Sequence, residues 1–385
     1  MEDANLIVAF DTFFLARHFR NVGIYEYATN LLREFRKLPV KETGISVRYF
    51  IDPSYTDDSV DRQSALACEA FETRFLRYHR LWRLGLVHLA ARSVDADMIF
   101  SPSPSLLRSG ALPTVVTIHD AMPEKLPPEF LQKTRSLKIH FRRSAKLAYK
   151  VLTDSEHSKN DLVDVYNLRP EKVVVVYLGY DRDRFNSSPP DPVAQAVLLQ
   201  RLGIHRPYIL HHGMVQHRKN LGRLVRAYDL LLKHCPDTGM QLVLAGPLGK
   251  GSEAVCHLAS SLNGKSKITF TGPLDGYSLS LLVKGASLCV IPSLYEGFCL
   301  PMVEAMACGI PTAVANCTSM PEISGGVLRY FDPLSVEDMT ATMADILDNS
   351  ELRAQLAKAG LQRAAAFGWD RCARETLQAF ATPIM

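Results

Sequence analysis

Short runs of apolar, mostly β-branched residues alternate along the chain with longer segments in which apolar residues recur every three or four positions. The short runs are apolar throughout, which is typical of central strands that helices cover on both faces. Strand–helix–strand repetition at this spacing indicates parallel sheets. The predicted strands form an N-terminal series (Leu6–Phe10, Val47–Ile51, Met98–Phe100, Val115–Ile118, Val151–Thr153 and Val173–Val176) and a C-terminal series (Tyr208–His211, Gln241–Ala245, Ile268–Thr271, Leu288–Ile291 and Thr312–Ala315).

A turn-rich break, Asn186-Ser-Ser-Pro-Pro-Asp-Pro192, separates the two series. A chain of 385 residues is also too long for one ordinary hydrophobic core. We therefore predict an α/β protein with two doubly wound, Rossmann-like domains that face a central cleft, where ligands of parallel sheets bind. The predicted boundaries are 1–184 together with a C-terminal helix in 368–385 for the first domain, 185–205 for a linker, and 206–367 for the second domain.

Composition and charge exclude several classes of protein. Apolar residues make up 47% of the chain and charged residues 22%, and the net charge of +4 includes no like-charged tail for nucleic acid. The acidic start does not resemble a signal peptide, and no window reaches the roughly 18 apolar residues of a membrane span. The eight cysteines include no CxxC pair or zinc-type cluster. We therefore expect reduced core thiols in a cytoplasmic protein that uses no metal and no cofactor.

The strongest functional signal is Pro292-Ser-Leu-Tyr-Glu-Gly-Phe-Cys-Leu-Pro-Met-Val-Glu-Ala-Met-Ala-Cys-Gly309. A strand should end at its first residue, and a helix should begin near Pro301. Unpaired amides at that helix start, together with the helix dipole, would form a phosphate site. Glu296 on the loop and Glu304 in the first helical turn would bind hydroxyls on either side of a diphosphate. A capped helix with acidic residues near its start is the alternative.

This stretch resembles the signature of the retaining glycosyltransferases of family 4, which have the GT-B fold and a Glu-x7-Glu motif. The resemblance continues through Ser319–Ile323 and Phe331–Pro333. It implies that the first glutamate contacts the transferred sugar, that the second holds the ribose, and that the amides between them bind the distal phosphate. The implied donor-binding residues are Glu296, Gly297, Phe298, Cys299, Leu300 and Glu304. Cys299 stands where glycine is usual, so its side chain would either narrow the phosphate pocket or face away from it.

A second motif, His212-Gly-Met-Val-Gln-His-Arg-Lys-Asn220, follows a predicted strand. A glycine turn followed by Arg218 and Lys219 at a helix start would place two cations beside a diphosphate whose charge they neutralise, with Lys219 exposed to the cleft. Ordinary solvated surface charges are the alternative. The block resembles the family's Gly-x4-Arg-Lys loop, in which many members carry arginine directly after the glycine. Met214 stands at that position here, so Arg218 would take that role.

Three weaker signals complete the predicted site. The strand at Val115–Ile118 is followed by His119, which in the family lies beside the reacting sugar, although it could also only cap the strand. Gly23 resembles the family's glycine turn, where the backbone approaches the donor phosphate. Leu274 lies in a turn whose backbone would read the nucleotide base.

A basic face is predicted on the N-terminal half. Residues Gln132–Lys150 hold seven Lys or Arg and no acid, and they should form one amphipathic helix. Upstream, aromatic residues alternate with arginines, namely Phe71, Arg74, Phe75, Arg77, Tyr78, Arg80, Trp82 and Arg83. These segments are either ordinary helices with solvated charges or a surface for an anionic membrane or a lipid-diphosphate-linked acceptor.

The combined prediction is a metal-independent retaining glycosyltransferase that transfers a hexose from a nucleotide sugar to a glycan or lipid-linked acceptor in polysaccharide biosynthesis. His119, Glu296, Arg218 and Lys219 would assist departure of the nucleoside diphosphate. A UDP-sugar such as UDP-glucose is favoured as donor, with GDP-mannose second. The alternatives are a sugar-nucleotide epimerase of the same fold and a non-catalytic nucleotide-sugar-binding module.

Overall fold

A computed structural model describes the chain at residues 5–12, 23–51, 70–72, 82–104, 106, 108, 110–130, 134–234, 239–262 and 268–383. The chain divides into two compact units. The first unit comprises Met1–Glu124, Lys133–Gly179 and Trp369–Met385, and the second comprises Lys125–Gln132 and Tyr180–Gly368.

The first unit is built on a parallel sheet of seven strands, β1 (Leu6–Phe10), β2 (Ile45–Ile51), β3 (Ala70–Glu72), β4 (Met98–Ser101), β5 (Thr114–Thr117), β6 (Lys150–Thr153) and β7 (Val173–Val175). Their order across the sheet is β3-β2-β1-β4-β5-β6-β7. The α-helices described in this unit are α1 (Gly23–Phe35), α2 (Val40–Thr43), α3 (Val87–Arg92), α4 (Met122–Lys125, whose last residue belongs to the second unit), α5 (Thr134–Leu147), α6 (Glu156–Tyr166) and, from the far end of the chain, α15 (Trp369–Ala381).

The second unit repeats this architecture with a parallel sheet of six strands, β8 (Tyr208–His212), β9 (Gln241–Ala245), β10 (Ile268–Gly272), β11 (Leu288–Ile291), β12 (Thr312–Ala315) and β13 (Arg329–Phe331). Their order is β10-β9-β8-β11-β12-β13. The helices are α7 (Pro192–Leu202), α8 (Leu221–His234), α9 (Ser252–Ser261), α10 (Gly276–Lys284), α11 (Leu300–Ala307), α12 (Met320–Ser324), α13 (Val336–Asp348) and α14 (Ser350–Ala364).

The predicted fold class is confirmed, because both units are parallel-sheet, Rossmann-like domains. Every residue of the four central strands of the second sheet is buried, as their unbroken apolar character predicts. The structure adds β3 and β13, two strands of three residues at the sheet edges.

The stretch predicted as a linker holds a helix. Asp191 caps α7, since its side chain accepts hydrogen bonds from the amides of Val193 and Ala194 at 2.9 and 3.1 Å. Pro192 occupies the first helical position, where a missing N–H costs nothing, and Gly203 ends the helix in a left-handed conformation. The Asp-Pro pair that suggests a turn in the sequence is therefore a helix start.

The basic helix is shorter than predicted, because α5 ends at Leu147 and Lys150 opens strand β6. Lys150 is 2% exposed, so it does not belong to the basic face. Its ammonium donates hydrogen bonds to the carbonyls of Ala379, at 2.6 Å, and Thr382 at the end of α15. The upstream arginine–aromatic segment lies outside the described residues from 73 to 81.

Candidate active site

The two strongest motifs follow neighbouring strands of the second sheet. Strand β8 pairs with β11, and the chain order reverses between them, because β9 and β10 lie on one side and β12 and β13 on the other. Such a reversal is where open parallel sheets bind ligands, beyond the carboxyl ends of the strands. The loop at 213–220 leaves β8 there, and the loop at 292–299 leaves β11. A backbone hydrogen bond of 2.8 Å from Leu294 N–H to Arg218 C=O joins the loops.

Glu296 is held between the two predicted cations. Its Oε2 accepts a hydrogen bond from Arg218 Nη1 at 2.7 Å, and its Oε1 accepts one from Lys219 Nζ at 2.5 Å. Arg218 Nη1 also donates to the carbonyl of Tyr295 at 3.0 Å. Residues predicted to contact the sugar and the diphosphate therefore form one charge cluster.

The carboxylate of Glu296 is ionised at neutral pH. Burial alone would raise the pKa of this carboxyl, but Arg218 and Lys219 outweigh burial and lower it to about 2. Glu296 therefore accepts hydrogen bonds and has no proton to donate.

Lys219 was predicted to be exposed, and this is wrong. The residue is only 4% exposed, whereas the side chain of Arg218 keeps 22% of its surface accessible. The reason is the short helical turn His217–Lys219 before the left-handed residue Asn220, which turns Lys219 inward onto Glu296. The ion pair makes this burial tolerable, since a buried ammonium without a partner would lose its charge.

Glu304 lies in the second turn of α11 rather than in the first turn, because the helix begins at Leu300. Its Oε2 is 2.9 Å from Nε2 of His212, the last residue of β8. The side chain of Glu304 is 17% exposed, and that of His212 only 2%. One oxygen of the predicted ribose-binding carboxylate is therefore fixed from within the protein.

Cys299 precedes α11 with φ 75° and ψ 65°. This left-handed conformation is strained for a side-chain-bearing residue and free of strain for glycine, which accounts for the family's usual glycine at this position. The thiol is buried, and burial together with nearby Glu296 raises the pKa of Cys299 to about 12. The thiol therefore stays protonated and unreactive at neutral pH.

The remaining donor-site predictions of the second unit fall on the loop after β11, at the start of α11 and on the loop after β10. Gly297 and Phe298 are buried, and the Phe298 ring packs edge-on against Phe367 at 5.3 Å between centroids. Leu300 is the first residue of α11 and is partly exposed. Leu274 lies in the loop after β10 and is also partly exposed.

The first unit carries its own polar site at the ends of β5 and β6. Nδ1 of His119 is 2.8 and 3.0 Å from the two carboxylate oxygens of Asp154. The ring of Tyr27 meets the imidazole edge-on, with 4.8 Å between centroids. Tyr27 lies on α1, whose first residue is Gly23. A Cβ added at Gly23 would meet no atom of the described residues within 4 Å, apart from its chain neighbours and the backbone of its own helix.

Family models match most of the chain. Residues 23–184 match Glycosyltransferase Family 4, and residues 200–363 match Glycosyl transferases group 1. O-antigen chain mannosyltransferase B from Escherichia coli is 30% identical over 274 residues, which is 69% of this chain and 69% of that protein. The chain belongs to the GT-B glycosyltransferases.

Solved structures show the same fold for this glycosyltransferase. Sucrose-phosphate synthase from Thermosynechococcus elongatus superposes with a TM-score of 0.74 at 18% identity over 98% of both chains. HepE from Anabaena, solved in complex with UDP-glucose, superposes with a TM-score of 0.70 at 17% identity over 98% of this chain and 99% of that one.

The sequence patterns assign no role to three polar residues that the structure places at these clusters: His211, His212 and Asp154. Nδ1 of His211 is 3.0 Å from the carbonyl of Val290, and burial, with Lys219 adding to it, lowers the pKa of His211 to about 3. His211 is therefore a neutral imidazole. Two consecutive histidines at a strand end could have indicated the first two residues, but nothing local points to Asp154, whose partner lies 35 positions away.

Within the described residues no helix is long and apolar enough to cross a membrane. The six described cysteines, Cys256, Cys289, Cys299, Cys308, Cys317 and Cys372, are all free thiols.

Proposed function

We propose that this glycosyltransferase moves a hexose from a nucleotide sugar to a glycan or lipid-linked acceptor, with retention of configuration and without a metal. The proposal rests on one observation above all, the cluster of Glu296, Arg218 and Lys219 beyond β8 and β11. A carboxylate that is hydrogen-bonded to two cations suits the junction of a hexose and a diphosphate. The carboxylate can accept hydrogen bonds from sugar hydroxyls, while the cations contact phosphate oxygens.

In the proposed reaction the bond between the anomeric carbon and the diphosphate oxygen breaks, and a bond to the acceptor oxygen forms. The acceptor proton moves to the departing diphosphate. Arg218 and Lys219 stabilise the negative charge that grows on this group, and they are already positioned before the reaction. Glu296, which stays ionised, orients the hexose and favours positive charge at its anomeric carbon.

The nucleotide is proposed to bind at Glu304. The hydrogen bond with His212 fixes Oε2 of Glu304, so that the other carboxylate oxygen can accept hydrogen bonds from the ribose hydroxyls. Two donors are proposed, a UDP-sugar and GDP-mannose. The Escherichia coli relative is named a mannosyltransferase, which supports the second, and HepE was solved with UDP-glucose, which illustrates the first on the same fold.

The test begins with thermal unfolding in the presence of UDP-glucose, GDP-mannose and an ADP-sugar. A donor at 100 times its Kd stabilises the folded state by about 2.7 kcal/mol, so the true donor raises Tm most. Release of the nucleoside diphosphate is then measured with and without acceptor glycans. Glu296→Gln should abolish acceptor-dependent release. Lys233→Met, which alters an exposed ion pair with Asp229, is the control that should not change it.

Two other results would contradict the proposal. Conversion of the donor sugar into an isomer without any acceptor would identify an epimerase. Binding of a donor without any turnover would identify a nucleotide-sugar-binding module.

The acceptor is proposed to bind on the first unit, with α5 as its electrostatic guide. Arg135, Arg142 and Lys146 are exposed on this helix, as are the apolar side chains of Ile139 and Leu147. Exposed cations beside exposed apolar groups suit a lipid-diphosphate acceptor at an anionic membrane surface. Wild type should then sediment with phosphatidylglycerol vesicles, and the double substitution Arg142→Glu and Lys146→Glu should abolish this binding. Neutral vesicles should bind neither the wild type nor the double variant.

A further inference from the structure

The pair formed by His119 and Asp154 joins two neighbouring strand ends. Strands β5 and β6 are paired in parallel, with Thr117 opposite Leu152, so the residues beyond them emerge side by side. Both oxygens of Asp154 lie within 3.0 Å of Nδ1 of His119. Asp154 is 3% exposed, so this is an ion pair sheltered from water.

The imidazole is restrained on more than one side. The edge-on ring of Tyr27 packs against it, and the Tyr27 hydroxyl is anchored 3.0 Å from Oγ1 of Thr117. The hydroxyl of Thr153 donates to the backbone carbonyl of His119 at 3.3 Å. These contacts together fix the orientation of the imidazole ring and therefore the direction of its second nitrogen, Nε2.

That second nitrogen, Nε2, is buried and has no hydrogen-bond partner among the described residues. A buried polar atom without a partner is costly, and a bound ligand is one way of satisfying it. Because a carboxylate can only accept hydrogen bonds, Nδ1 carries a proton, and Nε2 is the atom whose protonation changes with pH.

We propose that Asp154 is a positioning residue for glycosyl transfer, which holds His119 so that Nε2–H donates a hydrogen bond to a hydroxyl or phosphate oxygen of the substrate. The inference rests on the proposed function and on the expectation from the sequence that His119 lies beside the reacting sugar. It assigns a role to a residue that no recognised motif contains.

The charges around His119 support a protonated ring. Burial alone would lower the pKa of His119, but Asp154, with Asp120 adding to it, raises this pKa above its ordinary value of 6.5. Burial in turn raises the pKa of Asp154, and the imidazolium opposes that rise. Among the described residues, the other titratable groups nearby are Tyr27 on α1 and Cys372 on α15, both of which burial keeps neutral.

The expected pH dependence follows from this charge. The imidazolium form is complete below the ordinary pKa, and it is lost as pH rises through the raised pKa. Turnover should therefore fall as pH rises, and the midpoint of this alkaline limb should lie at the pKa of His119. Asp154→Asn keeps an oxygen that can accept from Nδ1–H but removes the charge, so the alkaline limb should move to lower pH. Asp154→Ala also removes the restraint, so kcat should fall by roughly 10- to 100-fold at every pH, the range for lost partners of ligating histidines.

The experiment combines two readouts on the full chain. The imidazole signal of His119 is assigned in the NMR spectrum by its loss in His119→Asn and is titrated in wild type, Asp154→Asn and Asp154→Ala. Turnover is measured over the same pH range. The control is Asp161→Asn, which alters a second His–Asp pair, with His157 on α6, at 3.3 Å.

The inference is supported if the titration midpoint and the alkaline limb move down together in Asp154→Asn and stay in place in Asp161→Asn. It is overturned if all variants share one pH profile and differ only in Tm, because Asp154 is then a structural partner. Absence of turnover by wild type with every donor would contradict the proposed function itself. Normal turnover by wild type, combined with an alkaline limb that does not move in Asp154→Asn, contradicts this inference alone.

Discussion

Glu296 and Lys219 depend on each other, because both are buried and each neutralises the other's charge. Removing one member of a buried pair commonly costs about 3–5 kcal/mol, since the remaining charge stays desolvated. Arg218 still faces Glu296 when Lys219 is absent, so the remaining carboxylate keeps one partner. The proposed catalytic role of this cluster is therefore linked to stability, and a single substitution should alter both.

A double substitution should separate the two effects. Lys219→Met should lower kcat by roughly 10²–10³-fold, the scale for one lost preorganised electrostatic group. It should also lower the free energy of unfolding by about 3 kcal/mol. Adding Glu296→Gln removes the buried carboxylate charge that Lys219 no longer neutralises, so stability should largely return while turnover stays lost. Urea unfolding and turnover on the same preparations decide this. Near-normal turnover in Lys219→Met would exclude a catalytic role, and Lys233→Met is the exposed control.

Stability in acid should depend on the same carboxylate. The folded-state pKa of Glu296, about 2, lies below the ordinary value of 4.5. Its stabilising contribution is therefore complete above pH 4.5 and is lost as pH falls toward 2. Unfolding free energies measured across this window should fall less steeply for Glu296→Gln than for wild type. Parallel slopes for the two proteins would show that the carboxylate is not stabilised by its partners.

At the scale of elements, the strands were predictable and the contacts between their ends were not. The apolar runs of β8 and β11 identify buried strands because nothing but burial explains them. The pairing of His119 with Asp154 and of His212 with Glu304 depends on which strands lie side by side, and local sequence does not contain this order. Helix α7 was missed because a proline cluster suggests a turn in sequence, although Asp191 and Pro192 make a helix start.

Lys150 links strand β6 to the end of α15, and its removal should loosen that helix. Lys150→Met keeps most of the buried stem and deletes the ammonium that binds the carbonyls of Ala379 and Thr382. A lost hydrogen bond to a charged group costs about 1.5–3 kcal/mol, so Tm should fall, and amide exchange in α15 should accelerate first. Lys172→Met is the matched control, since Lys172 binds one carbonyl, that of Lys146, near the surface. Equal effects of the two substitutions would contradict the role given to Lys150.

At the scale of the whole molecule, the two units repeat one architecture with different chemistry at their strand ends. The second unit ends its central strands in cations and carboxylates, and the first ends neighbouring strands in an aspartate–histidine pair. The fold class was predictable because it follows from the number and spacing of buried strands. The burial of Lys219 was not, because it depends on the turn at 217–219 and on the loop that follows β11.

The reaction as a whole should proceed without a divalent metal. In the proposed function, Arg218 and Lys219 take the place of the magnesium or manganese that neutralises diphosphates elsewhere. Turnover should therefore be unchanged after dialysis against EDTA. Lost turnover that either metal restores would contradict the role assigned to the two cations, whereas loss that no metal restores would indicate damage to the protein.

The return of α15 to the first unit has a consequence for how the protein is made. Domains usually fold in the order in which the ribosome releases them, from the N-terminus onward. Here Trp369–Ala381 packs on α1, and the whole of Tyr180–Gly368 is synthesised in between. A nascent chain of the first 179 residues therefore exposes the apolar face that α15 later covers. The unit that is begun first can be completed only after the second unit has left the ribosome.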